Sequence, residues 1–155
     1  TGDLSPSDKD KLDRLRRLFI EQVKQYGLKS VAKPDSLEIS EDNYKPILEG
    51  FNLTFDFSAS DNIRTIWAYL QGLLELSREV PTNHLDLLIL DEPRQQETSE
   101  ISFAELLKRA SSAARFQQQV IFATSETEAN LREILVGVPH TCHSFVGKIV
   151  KRLDD

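Results

Sequence analysis

The sequence holds a single cysteine, Cys142, and no methionine among its 155 residues. One thiol excludes an internal disulfide framework and fits a reducing, cytoplasmic setting. A chain that opens on Thr1 and contains no methionine is expected to be part of a longer or processed product. Six glycines and six prolines are too few for a collagen-like or low-complexity chain. No apolar run approaches the roughly 18 residues of a membrane helix, so no membrane partner is expected, and no leader pattern opens the chain. An excess of positive charge is also missing. The formal net charge is −6, where an isolated nucleic-acid-binding domain is usually basic, so any contact with DNA must come from a local patch or a partner. Lys9, Lys11, Arg14, Arg16 and Arg17 cluster early and Lys148, Lys151 and Arg152 late. Either cluster reads as such a patch or as a solvated face. Finally, none of the glycines is followed by Lys-Ser or Lys-Thr, so the chain has no Gly-x-x-x-x-Gly-Lys-[Ser/Thr] cradle for a triphosphate.

What is present is a globular pattern. Hydrophobic residues make up 39% and charged residues 28%, enough apolar content for one domain with a core. Residues 5–27 are predicted helical, with Ser5 or Ser7 as cap, Pro6 in the first turn and Gly27 at the end. Leu12, Leu15, Phe19, Val23 and Tyr26 form one apolar stripe, and Leu12, Phe19 and Tyr26 also keep a seven-residue spacing. That pattern fits both an ordinary core helix and the last turns of a coiled-coil stem. Residues 28–155 then form a second unit. Alternation predicts strands at 37–40 and 51–57, and the Ile63, Ile66, Trp67, Leu70, Leu73, Leu74, Leu76 face predicts a helix over 60–79. Leu87-Leu88-Ile89-Leu90 and Val120-Ile121-Phe122-Ala123 read as strands covered on both faces. A polar loop is expected over 94–101, a helix over 102–115 capped by Ser102 with Glu105 in capping-box spacing, a helix over 126–135 and a last strand over 144–153. Alternating strands and helices predict an α/β layered domain with mostly parallel central strands.

The chemistry-bearing segment is Leu87-Leu88-Ile89-Leu90-Asp91-Glu92-Pro93. An apolar strand that ends in two carboxylates fixes them at the carboxyl edge of a sheet, where α/β proteins bind ligands. In this Walker B arrangement Asp91 is the candidate magnesium ligand and Glu92 the candidate base that deprotonates an attacking water. Upstream, Phe57-Ser58-Ala59-Ser60-Asp61 stands at a strand-to-helix junction with Arg64 on the first helical turns. A helix N-terminus offers free N–H groups and a partial positive charge to a phosphate, and Ser58 and Ser60 add hydroxyls; capping of helix 60–79 is the plainer role.

On these two motifs, in this order, the chain resembles the C-terminal lobe of the ABC-type ATPase heads of the SMC-like, DNA-repair branch, and the resemblance runs over nearly the whole chain. Phe57 and Ser58 stand for the Leu and Ser of the family's Leu-Ser-Gly-Gly-Glu/Gln signature, Ala59 and Ser60 replace its glycines, and Asp61 replaces its acid or amide. Arg64 matches a basic residue on the signature helix. The resemblance implies a layered P-loop-type half-domain that acts on ATP and Mg²⁺. Ser58, Ala59, Ser60, Asp61 and Arg64 would contact nucleotide held by a second head, and Asp91 and Glu92 would act with their own P-loop. The implied partners are the N-terminal P-loop half, a second head in a dimer, DNA and accessory subunits, in repair, chromosome organisation or anti-phage defence.

The chain departs from the family in three places. The D-loop position holds Arg94-Gln95-Gln96-Glu97, both signature glycines are gone, and Ser125 stands where the family has a switch His, with Thr124 as another polar candidate. A hydroxyl can hydrogen-bond a phosphate but cannot carry charge as His can. These departures leave a second expectation open, a non-hydrolysing scaffold lobe that holds subunits together. A helicase fragment with Asp91-Glu92 as its acidic motif leaves Ser58 to Arg64 without a role. His140, Cys142 and His143 lack a second ligand cluster, so they and His84 are expected to be loop residues, with the thiol buried.

Overall fold

The structure, a computed structural model, describes residues 4–48, 51–52, 58–93 and 100–145. It is a mixed α/β arrangement of four helices with a three-stranded antiparallel sheet and one parallel pair of strands. Helix α1, Pro6–Tyr26, is capped at its start by Ser5, whose hydroxyl accepts from the Asp8 N–H, and closed by Gly27 in the left-handed conformation (φ 65°) that glycine adopts without a Cβ clash. Its stripe of Leu15, Leu18, Phe19, Val23 and Tyr26 is buried in the main core, with Leu12 packed at the margin.

Strands β1, Leu37–Ile39, β2, Pro46–Leu48, and β3, Phe51–Asn52, form the antiparallel sheet in chain order. The β2 strand was not anticipated: its three residues between Lys45 and Glu49 are too short to show a period. The strand expected over 51–57 is described at its first two residues, and 53–57 lie outside the described residues.

Helix α2, Ala59–Glu79, packs along α1 and buries Trp67, Ala68, Leu74 and Leu76. Gly72 marks their close approach. A Cβ there would meet Leu15 Cδ1 at 3.4 Å and Gln22 Nε2 at 3.7 Å, which is ordinary contact. Alanine is favoured over glycine inside a helix by about 1 kcal/mol. Gly72→Ala is therefore expected to raise the melting midpoint by a few degrees, about 2–4 °C at this chain length, as read by thermal circular dichroism.

Strands β4, Leu87–Asp91, and β5, Gln119–Ala123, pair in parallel, with Leu88 opposite Val120, Ile89 opposite Ile121 and Asp91 opposite Ala123. Between them run helix α3, Glu100–Ser111, and a 3-10 segment, Ser112–Phe116. Helix α4, Glu128–Ile134, follows, capped by Thr127. Three sequence expectations change here. Ser102 does not cap α3 but lies inside it, where its hydroxyl donates to the Tyr26 carbonyl at 2.9 Å, and Glu105 accepts from Gln25 instead of closing a box. Ser102 shares the four-residue register of Leu106 and Ala110, the face turned to the core, and this decides its direction. Of the polar loop expected over 94–101, Glu100 and Ile101 lie in α3, and 94–99 lie outside the described residues. Of the last expected strand, residues 144–145 have no regular structure and 146–153 lie outside the described residues.

The third change concerns coverage. Both parallel strands were expected to be buried on both faces. Leu88 and Leu90 are buried in the main core, where α2 packs on β4, but Leu87, Ile89 and Ile121 on the other face are 38%, 60% and 40% exposed. Among the described residues one face of the parallel pair is bare.

Aromatic contacts run from Tyr26 through Trp67 and Phe103 to Phe122 and join α1, α2, α3 and β5 in one core, with ring centroids 6.1–6.5 Å apart. A buried ion pair reinforces the same junction. The Arg109 guanidinium holds both Glu75 oxygens, at 2.7 and 2.5 Å, and reaches Glu21 and Gln25 on α1. Burial works against the charged guanidinium, but Glu75 and Glu21 more than offset it and raise its pKa further. Tyr26 is pushed the same way by burial, which disfavours its phenolate.

Candidate functional site

The direction of α2 sets the site. At its C-terminal end the Ser77 hydroxyl donates to Asp86 at 2.7 Å, and the Gln118 amide donates to the Leu74 carbonyl at 2.9 Å, so this end sits at the start of β4 and β5. The same Gln118 amide reaches Asp86, while Arg78 donates to Gln118 and to Ser112 and stacks over Phe116. Hydrogen bonds from Ser77 and Gln118 hold the Asp86 carboxyl below its usual pKa. Ten residues nearer the N-terminus Trp67 packs on Phe103, which meets Phe122 near the far end of β5. Helix α2 thus runs against both strands, and its N-terminus faces the same rim as their carboxyl ends. A helix of this length spans about 30 Å and a five-residue strand about 16 Å. The first turn of α2 therefore projects past the strand edge.

At that turn Ser58 is the N-cap, its hydroxyl accepting from the Asp61 N–H at 3.2 Å, and Ser58 and Ala59 are exposed. The next residues turn inward. Asp61 is 2% exposed and accepts from the Ser30 N–H and hydroxyl at 2.9 and 2.5 Å. The buried Arg64 guanidinium donates to the Ser60 hydroxyl, to the Tyr26 carbonyl at 3.3 Å and to the Gly27 carbonyl at 2.9 Å, and pairs with Asp61 at 3.4 Å. Since Ser102 bonds the same Tyr26 carbonyl, the ends of three helices are tied at one point. Of the five signature candidates, Ser58 and Ala59 face solvent, and Ser60, Asp61 and Arg64 fasten the signature turn to the end of α1.

At the strand edge Asp91 and Glu92 are both exposed. Glu92 leaves β4 in the left-handed region (φ 42°), an uncommon conformation for a residue with a Cβ that costs on the order of 1–2 kcal/mol. Two bonds to the end of β5 hold it there: its N–H donates to the Ala123 carbonyl at 2.8 Å, and the Ser125 hydroxyl donates to its Oε2 at 3.2 Å. The structure therefore brings together Glu92 and Ser125, which stand 33 residues apart. Thr124 is occupied otherwise, its hydroxyl accepting from the Glu126 N–H at 3.2 Å in a local turn.

No protein-family model, curated protein or solved structure matches this chain.

Asp91 and Glu92 are adjacent exposed carboxylates at a strand end; Mg²⁺ keeps most of its waters and takes other ligands from phosphates, so one of them, Asp91, would suffice to hold a magnesium shared with a nucleotide. No group of three or more His, Cys, Asp or Glu side chains that could hold a metal by itself occurs among the described residues. Cys142 is exposed, not buried as expected, and His140 and His143 are exposed beside it, as loop residues commonly are. No described helix is long and apolar enough to cross a membrane. An open groove of about 420 Å³ lies along α1, lined by Arg16, Arg17, Ile20, Glu21, Lys24 and Asp35, and shares no residue with either motif. Its cations are engaged within the fold: Arg16 with the Asp35 and Leu37 carbonyls, Arg17 with Glu79, and Lys24 with Asp35. Arg17 and Arg14 hold the Glu79 carboxyl below its usual range.

Sequence reasoning missed Ser30 and Gln118, which anchor the two ends of α2. Neither stands in a periodic pattern that would mark it as inward-facing.

Proposed function

We propose that this chain is the C-terminal lobe of an ATP-hydrolysing head and contributes a signature turn and a Walker B edge to a site completed by a P-loop half. The observation that carries the reading is the one-sided parallel pair ending in Asp91-Glu92. Parallel strands are almost always covered on both faces, because their crossovers place helices there. Among the described residues Leu87, Ile89 and Ile121 lie uncovered beside the candidate catalytic edge, where a second half-domain would seat. In this reading Asp91 holds magnesium. Glu92 takes a proton from the water whose oxygen bonds the γ-phosphorus, the bond to the β,γ-bridging oxygen breaks toward ADP, and the proton passes on to phosphate. Ser58 and Ala59 present the α2 N-terminus to nucleotide held by a second head, with Ser60, Asp61 and Arg64 fixing that turn from behind. By the same resemblance the head works on DNA, with accessory subunits, in the cytoplasm, and hydrolyses ATP only when joined to its P-loop half.

A non-hydrolysing scaffold lobe is the second reading. It is favoured by the inward engagement of Ser60, Asp61 and Arg64, which leaves few side chains free to meet a phosphate.

The two halves give the test. Ile89→Asp places a charge on the bare face, where it leaves the isolated lobe within about 0.5 kcal/mol of its original stability. Against a seated partner the buried, unpaired carboxylate costs several kcal/mol. Binding of the lobe to its P-loop half, measured by calorimetry, is expected to weaken by at least about a hundredfold. Undiminished binding would remove the bare face as the joint between halves.

A further inference from the structure

The reading above gives Ser125 the place of a switch residue that meets the γ-phosphate. Its geometry assigns a different partner. The Ser125 hydroxyl donates to Glu92 Oε2 at 3.2 Å, while the Glu92 N–H is held by the Ala123 carbonyl two residues earlier on the same strand end. Residues 123–125 thus grip Glu92 at both its backbone and its carboxylate. Glu92 needs such a grip: it is exposed, sits just past the end of β4 and holds a left-handed backbone that nothing in its own residue type favours. Backbone conformations of this kind persist where the surroundings over-determine them, and they concentrate at functional sites. The neighbouring Thr124 hydroxyl accepts from the Glu126 N–H at 3.2 Å in a local turn.

We propose that Ser125 is a positioning residue for Glu92, occupying one carboxylate oxygen so that the other is aimed at the attacking water. This rests on Glu92 being the base. With Oε2 held by the hydroxyl, Oε1 takes the proton as the water oxygen bonds the γ-phosphorus, and the β,γ-bridging oxygen leaves with its electron pair on ADP. Ser125 gains and loses no proton in that exchange. It fixes direction, as orienting residues do for a base or nucleophile elsewhere.

The experiment is a double-mutant cycle on single-turnover ATP hydrolysis by the complete head, with Ser125→Ala, Ser125→Thr, Glu92→Gln and the double variant. Ser125→Ala is expected to slow hydrolysis about tenfold with KM for ATP within about twofold of the parent, since the interaction is absent from nucleotide binding. Ser125→Thr, which restores the hydroxyl, is expected to recover most of the rate. In the Glu92→Gln background Ser125→Ala should cost nothing further, because residues that act as one unit do not add. A raised KM with unchanged rate would overturn the proposal by placing the hydroxyl on the nucleotide. An equal loss in both backgrounds would overturn it by showing that Ser125 acts independently of Glu92. Undiminished hydrolysis in Glu92→Gln alone would remove Glu92 from the base role, and this proposal with it.

Discussion

Glu92→Gln is expected to lower ATP turnover by the complete head by about 10²–10⁴-fold, the range over which a positioned base accelerates proton transfer. The substitution is nearly isosteric, and its effect should be confined to chemistry. The amide oxygen can still accept from the Ser125 hydroxyl, and the backbone N–H to the Ala123 carbonyl is untouched, so the left-handed turn after β4 survives. What is lost is a group that can take a proton. Asp91, one residue earlier and still within the strand, is untouched by the substitution. Nucleotide-dependent pairing of heads should therefore persist while phosphate release stops. Both are measurable on one preparation, by phosphate assay and by light scattering with ATP. Turnover at the parent rate would remove Glu92 from the base role.

The largest expected effect on stability lies elsewhere. Arg109→Ala should cost about 3–5 kcal/mol, the penalty for leaving one member of a buried ion pair alone. Glu75 is almost wholly buried on α2, and the carboxylate depends on Arg109 for two charge-assisted hydrogen bonds; Gln71 supplies a third, weaker one at 3.2 Å. The same guanidinium reaches Glu21 and Gln25, so its loss also loosens α1 from α3. Denaturant unfolding monitored at Trp67, which packs in the same core, reads the change directly. Replacing both partners, Glu75→Leu with Arg109→Leu, should recover much of the loss, since apolar pairs of similar volume commonly match a buried ion pair. A cost below 1 kcal/mol for Arg109→Ala would show that Glu75 finds water on its own.

The long elements were legible in the sequence because their periods were long. The α1 stripe from Leu12 to Tyr26 and the α2 face around Trp67 each repeat over several turns, and Ser5, Gly27 and Ser58 mark their ends by backbone requirements that few residues meet. The parallel direction of the two apolar strands was legible, but the bond between Glu92 and Ser125 at their ends was not, since Ser125 read as a partner for phosphate. Coverage was not legible. A run such as Leu87-Leu88-Ile89-Leu90 looks the same whether its second face is filled by the same chain or by another. The inward turn of Arg64 and Ser102 was hidden for a related reason. Each is a polar residue that satisfies a carbonyl at the end of a distant helix, and such a bond leaves no trace in local spacing.

The uncovered side of the parallel pair also constrains how the polypeptide can be produced. Contiguous apolar patches open to water invite wrong partners and precipitation. Leu87, Ile89 and Ile121 form such a patch on one side of the sheet. If the chain is one lobe of a head, as proposed above, supply of a P-loop half in step with it is expected to keep these side chains from wrong partners.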